Sequence, residues 1–125
     1  MTYRLRALGA SDVTELEQVR QFFRNYAAWL GVDFSYQGFA DEVANLPGAY
    51  GEAGGRLFFV EMDGVPCGCV GVRRFSEGVC EMKRLYVDPE MRGRGLGPQL
   101  ALAAIKAAQE LGYRRILLDT LPAMR

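Results

Sequence analysis

Apolar and polar positions alternate at the start of the chain, in the order Tyr3-Arg4-Leu5-Arg6-Ala7-Leu8, which predicts a strand with Tyr3 and Leu5 on one face. The period then lengthens. Val13, Leu16, Val19, Phe23, Tyr26, Ala27 and Leu30 recur at helical spacing, with Ser11 and Asp12 as N-cap candidates, Glu15 in the first turn and Gly31 as the stop. Phe22, Phe23, Tyr26 and Trp29 form an aromatic stripe expected to face the core. Val32 to Gly38 reads as a loop carrying Phe34 and Tyr36, and a short helix is expected from Phe39 to Leu46 before Pro47-Gly48 breaks it. Ala49 to Gly55, rich in glycine and without a hydrophobic period, is expected to be a loop.

Leu57 to Met62 is a continuous apolar run, followed by Asp63-Gly64, a preferred composition for a tight hairpin turn. The return strand runs from Val65 to about Arg74, thinned by Gly68 and Gly71; glycines inside a strand mark a bulge or a close approach. Ser76-Glu77-Gly78 turns the chain into another strand through Cys80 to Val87. Links this short make the three strands an antiparallel meander. A helix from Pro98 to Leu111, with Leu100, Ala103, Ala104, Ala107 and Leu111 on one face, is capped by Gly112 and followed by the short strand Arg115 to Asp119. Strand, helix and strand of this size form a right-handed parallel crossover. The expected fold class is therefore α/β (α+β), with a mixed, mainly antiparallel sheet and one β-α-β crossover, in a single domain spanning residues 1–125.

Composition narrows the chemistry. Fifteen basic and fifteen acidic residues cancel, so no global field recruits nucleic acid or an anionic membrane. The absence of histidine excludes a Cys/His zinc site and any histidine-based nucleophile machinery, and no metal site is expected. Cys67, Cys69 and Cys80 leave one over in any disulfide pairing and sit in apolar strands, as small buried hydrophobes do. No signal-like or membrane-spanning apolar run is present, which makes a cytoplasmic location the default expectation.

The glycine-rich turn Arg92-Gly93-Arg94-Gly95-Leu96-Gly97 joins the strand ending at Val87 to the following helix. Bare backbone N–H groups converge at such a junction and the helix dipole favours negative charge, so a phosphate-bearing ligand is expected. A Walker loop needs Lys-Ser/Thr after its last glycine, where Pro98-Gln99 stands. The dinucleotide fingerprint needs a glycine at the place of Pro98 and a loop after the first strand of a parallel sheet. Neither fits. Arg92 and Arg94 add positive charge, or else form an ordinary solvated basic turn.

Arg92-x-x-Gly95-x-Gly97, between a fourth strand and a long helix, resembles the signature Gln/Arg-x-x-Gly-x-Gly/Ala of the GCN5-related N-acetyltransferase family. Glu81 to Pro89 is similar to that family's fourth strand and its exit, and the order of strand, two helices and meander is similar to its first half. The resemblance implies acetyl-CoA as cofactor, with backbone amides from Arg92, Gly93, Arg94, Gly95, Leu96 and Gly97 around the pyrophosphate. It further implies that the backbone of Leu85 and Val87 holds the pantetheine amides beside a bulged fourth strand. From the residues alone, Cys80 and Met82 share one strand face and Leu85 and Val87 the other, so the apolar phase flips near Lys83-Arg84. Either a β-bulge or a strand buried on both sides accounts for this.

Acetyl transfer to an amine needs a base, because a lysine-like amine has a pKa of about 10.4. Glu81 is the candidate by its position on the reacting strand; the alternative is a solvent-facing glutamate. The expected function is acetyl-CoA-dependent N-acetylation of a small-molecule or peptide amine. The alternative is a non-catalytic acyl-CoA-binding or dimerisation module. The sequence runs to Arg125, just past the expected fifth strand, so the last helix and strands implied by the resemblance, with their acid tyrosine, are not expected within these 125 residues. The sheet edge they would cover is expected to be covered by a second copy, giving a homodimer.

Overall fold

The computed structural model describes residues 2–30 and 39–118. The helix stop at Gly31, the loop with Phe34 and Tyr36, and the strand end at Asp119 lie outside them. Strand β1 (Tyr3–Ala7) is followed by helices α1 (Val13–Leu30) and α2 (Phe39–Ala44), the strands β2 (Arg56–Met62), β3 (Val65–Ser76) and β4 (Val79–Val87), helix α3 (Leu96–Glu110) and strand β5 (Arg115–Leu118). The strands form one sheet in the order β1-β2-β3-β4-β5, antiparallel as far as β4, with β5 parallel to β4. That is the mixed sheet with one crossover expected from the sequence. Asp63 and Gly64 both have positive φ, 51° and 82°, as the twist of a two-residue hairpin turn requires.

Helices cover both faces. On one, Leu16, Val19, Phe22, Phe23 and Tyr26 of α1 pack with Leu57, Phe59, Cys69 and Tyr86; on the other, Leu96, Leu100, Ala104 and Ala108 of α3 pack with Val60, Cys67, Val70, Val72 and Cys80. All three cysteines are buried and unpaired. Two local readings need correction. Within the stretch read as a loop, Gly48–Gly51 form a 3₁₀ turn that buries Tyr50 against β3. A Cβ at Gly71 would stand 2.5 Å from the Tyr50 ring, so the close approach suggested by that glycine is an aromatic side chain. Trp29 is not core: at 47% exposure it leaves the aromatic stripe that Phe22, Phe23 and Tyr26 bury. Among the described residues no helix is long and apolar enough to cross a membrane.

The phase flip in β4 is a bulge. Gly71 pairs with Lys83 and Cys69 with Tyr86, so β4 carries one residue more than β3 between those pairs, and Arg84 has φ 60°. A left-handed backbone at a bulky residue is costly and persists where the surroundings hold it. Because of the extra residue, Cys80, Met82, Leu85 and Val87 all pack with α3, while Arg84 and Tyr86 are buried on the α1 side.

Candidate acyl-carrier cleft and acceptor-side network

Strand β5 pairs with β4 only from Val79 to Met82. Among the described residues, no strand lies beside the remainder of β4 on that edge; its other edge stays paired with β3 as far as Val87. Asp88 donates its N–H to the Cys67 carbonyl at 2.7 Å, and antiparallel pairing alternates, so the backbone groups of Val87 point away from β3 towards that open edge. Two residues earlier, Leu85 packs on the same α3-side face as Val87.

The chain leaves β4 through Asp88, whose carboxylate accepts the Glu90 N–H at 3.1 Å and caps the short turn Pro89–Met91. Met91 then anchors in the α3-side core. Gly93 and Gly95 follow with φ 81° and 80°, a left-handed backbone that a side chain makes costly. Gly95 is the N-cap of α3, and buried Leu96 is its first helical residue. The helix thus opens two residues before Pro98. Gln99 donates to the Gly95 carbonyl at 3.3 Å, closing the first turn. Leu96 and Gly97 therefore have no intrahelical acceptor for their N–H groups, and Pro98 stands where a third such donor would be. A Cβ built on Gly93, Gly95 or Gly97 meets no atom within 4 Å, so the turn faces open space.

That space is a cleft of about 570 Å³. Gly93, Gly95, Gly97 and Pro98 form one wall, Leu85, Val87, Met91 and Leu96 another, and Trp29 and Tyr86 close the side towards α1. Arg92 lies across it: Nε donates to the Val87 carbonyl at 2.9 Å, and the guanidinium stands 5.1 Å from the Trp29 ring centroid and 5.7 Å from that of Tyr86. Burial raises the Tyr86 pKa, against the opposing hydrogen bond with Asn25, so the phenol keeps its proton. Of the residues expected around an acyl carrier, all but Arg94 line the cleft; Arg94 points to β2, its Nη1 4.0 Å from the Met62 sulfur.

Glu81 is not in the cleft. Its carboxylate accepts Arg73 Nε at 3.2 Å within a charged network on the α2 side. Arg73 Nη1 also reaches Glu42 at 3.5 Å, and Glu42 takes Nε and Nη2 of Arg84 at 2.9 and 3.1 Å together with the Tyr50 hydroxyl at 3.2 Å. Arg84, 2% exposed, also stands over the Tyr26 ring at 5.9 Å. Burial lowers its pKa, but the hydrogen bonds and charge of Glu42 more than offset this, and the net shift is upward. The Tyr50 pKa is pushed up, first by burial and then by the Glu42 charge. Tyr113 is occupied elsewhere, donating its hydroxyl to the Gly54 carbonyl at 2.6 Å. No local sequence pattern marks Glu42 as part of this site, the only trace of Arg84 is the apolar phase flip, and the helical spacing of Trp29 points to the core instead.

The model of the acetyltransferase (GNAT) family matches residues 16–125. An uncharacterised N-acetyltransferase of Schizosaccharomyces pombe is 38% identical over 117 residues, covering 89% of this chain and 72% of its own. Among solved structures, a GNAT-family acetyltransferase of Staphylococcus aureus aligns at TM-score 0.77 and 19% identity, over 98% of this chain and 75% of that one. An acetyltransferase of Clostridium acetobutylicum solved with acetyl-CoA aligns at 0.78 and 10% identity, over 99% and 84%. With its five-stranded mixed sheet, its glycine turn and these matches, the chain belongs to the acetyltransferase (GNAT) family.

Proposed function

We propose that the chain transfers an acetyl group from acetyl-CoA to the amine of a small molecule or peptide. The acyl carrier lies along the open edge of β4, with its pyrophosphate in the turn from Arg92 to Gly97. The observation that carries this reading is the cleft itself, which joins a strand edge unpaired among the described residues to a glycine turn at a helix N-terminus. The donor set fits a long ligand that is amide-bearing at one end and anionic at the other. The acetyl-CoA complex of the Clostridium acetobutylicum relative supports the same choice of donor.

Bound acetyl-CoA supplies a thioester carbonyl open to attack by an amine. The chain's own residues do the rest. Outward-facing groups of Leu85 and Val87 hold the arm, and a backbone N–H at the bulge is the preorganised donor for the developing oxyanion. Leu85, Val87, Met91 and Leu96 keep that region apolar, which strengthens the polar contacts made there. Glu81 is four residues up the strand from Leu85, at most about 13 Å at strand rise and less across the bulge, so it acts on the amine proton through a chain of waters and not by direct contact. Arg73 fixes the orientation of its carboxylate.

Thermal melting with acetyl-CoA, CoA and NADH is the first test. Ligand at a hundredfold above Kd stabilises by about 2.7 kcal/mol, a rise in Tm of roughly 10 °C for either CoA species and none for NADH. No rise with CoA or acetyl-CoA removes the reading. Thiol release with a panel of amines then tests transfer, and Glu81→Gln should lower kcat on the order of a hundredfold. Full turnover of that variant across pH would show that Glu81 is not the base.

A further inference from the structure

Arg92 makes a contact that the proposed ligand would itself need. Its Nε–H is bonded to the Val87 carbonyl, which faces the open edge of β4, and its guanidinium is held between the rings of Trp29 and Tyr86. The three side chains come from the glycine turn, the end of α1 and β4, so the stack crosses the cleft from wall to wall. Trp29 stands half in solvent, where an aromatic ring gains little from burial; Arg92 is its partner there. An amide N–H arriving along the strand edge therefore finds one lone pair of its acceptor already bonded and a guanidinium standing across its path.

We propose, resting on the acyl-CoA reading above, that Arg92 is a specificity-determining latch. In the empty site it caps the Val87 carbonyl, and it is released only by a thioester carrier that bears phosphate. A neutral arm reaching Val87 displaces a charge-assisted hydrogen bond and two aromatic contacts while leaving the guanidinium no new partner. A phosphate-bearing carrier offers the same guanidinium a planar, two-pronged anion contact beside a turn whose amides already favour negative charge. Arg92 thus does two things with opposite sign: it opposes the pantetheine arm and favours the phosphates. Only a ligand carrying both gains from the exchange, so short uncharged thioesters are rejected although they fit the apolar groove.

The test uses the full chain with CoA and with pantetheine, the same arm without phosphate, and reads Kd by calorimetry. Trp29 is the only tryptophan, so its emission reports the departure of the guanidinium when CoA binds. In Arg92→Ala the CoA Kd should rise about tenfold and the pantetheine Kd fall about threefold, collapsing the preference for CoA roughly thirtyfold. Trp29→Phe, which weakens the stack but keeps the cation, should move pantetheine in the same direction by less. Arg92 and Trp29 are exposed, so both variants are expected to fold, and circular dichroism checks this. If pantetheine binds Arg92→Ala no better than the wild type, including no detectable binding to either, the latch is overturned and Arg92 is a phosphate contact only. Absence of CoA binding to the wild type instead removes the acyl-CoA reading itself.

Discussion

The two sides of β4 hold sites of opposite construction. Towards α3 the cleft is built from backbone: a strand edge unpaired among the described residues, a glycine turn and the first amides of a helix, with apolar side chains as packing. Towards α2 the site is built from side chains, with Glu42, Arg73, Glu81 and Arg84 linked by hydrogen bonds at 2.9 to 3.5 Å. The bulge at Arg84 connects them. It turns the Arg84 side chain into the charged network, while Leu85, one residue later, lines the cleft. A ligand held by backbone depends on where the strand runs, and here an ion pair from α2 holds the strand at the bulge.

Breaking that ion pair has the largest expected effect. Arg84→Ala leaves the Glu42 carboxylate without its closest partner in a site only 13% exposed, a loss of about 3–5 kcal/mol. Tm should fall by roughly 12–20 °C in thermal melting. The double variant Arg84→Met with Glu42→Leu, which removes both charges and keeps volume, should recover most of that loss while still relaxing the bulge. Amide hydrogen exchange at Leu85 to Val87 then separates the two effects: it should quicken in the double variant although Tm is restored. Unchanged exchange there would mean that the ion pair stabilises the fold without holding the strand edge.

This contrast also decides what could be read in the sequence. The cleft was legible because backbone sites depend on residue types with local signatures: the spacing of Gly93, Gly95 and Gly97, the proline after them and the apolar phase flip of β4 are visible in a window of twenty residues. The helix starts at Leu96, two places before the expected Pro98, since the sequence alone does not reveal that Leu96 already satisfies the core and opens the helix. The network was illegible for the opposite reason. Glu42 and Arg84 are 42 positions apart, and neither has a local pattern that distinguishes it from a solvated surface charge. Trp29 was misassigned because helical spacing puts it near the stripe of Tyr26, and only the turn arriving beside it gives it another partner.

A smaller effect is expected on the backbone side. Gly95→Ala forces a Cβ into a left-handed backbone at a cost of about 1–2 kcal/mol, or roughly 4–8 °C in Tm. No atom obstructs that Cβ, so the loss is conformational. Gly95→Glu adds a carboxylate in front of the anion-favouring amides, and the Tm rise with CoA should disappear while the fold persists. A retained CoA shift in Gly95→Glu would move the phosphates away from this turn.

The smallest effect sharpens the contrast between buried and exposed charge on the α1 side. Arg6 pairs with Asp12 and Glu15 at the start of α1, where Asp12 also accepts the Gly9 N–H at 2.7 Å. That backbone hydrogen bond first, and Arg6 second, hold the Asp12 carboxyl below the usual carboxylate range. A depressed folded pKa adds stability that is present above the unfolded value and is lost as pH falls through the folded one. The Tm difference between wild type and Asp12→Asn should therefore be small and positive at pH 7 and should close below about pH 4. Asparagine keeps an oxygen for the Gly9 N–H, so the difference reports charge. Added salt should shrink it, because both partners are within reach of screening, whereas the Arg84→Ala loss should be nearly insensitive to salt. A gap at Asp12 that ignores both pH and salt would mean that the charge does not do the stabilising.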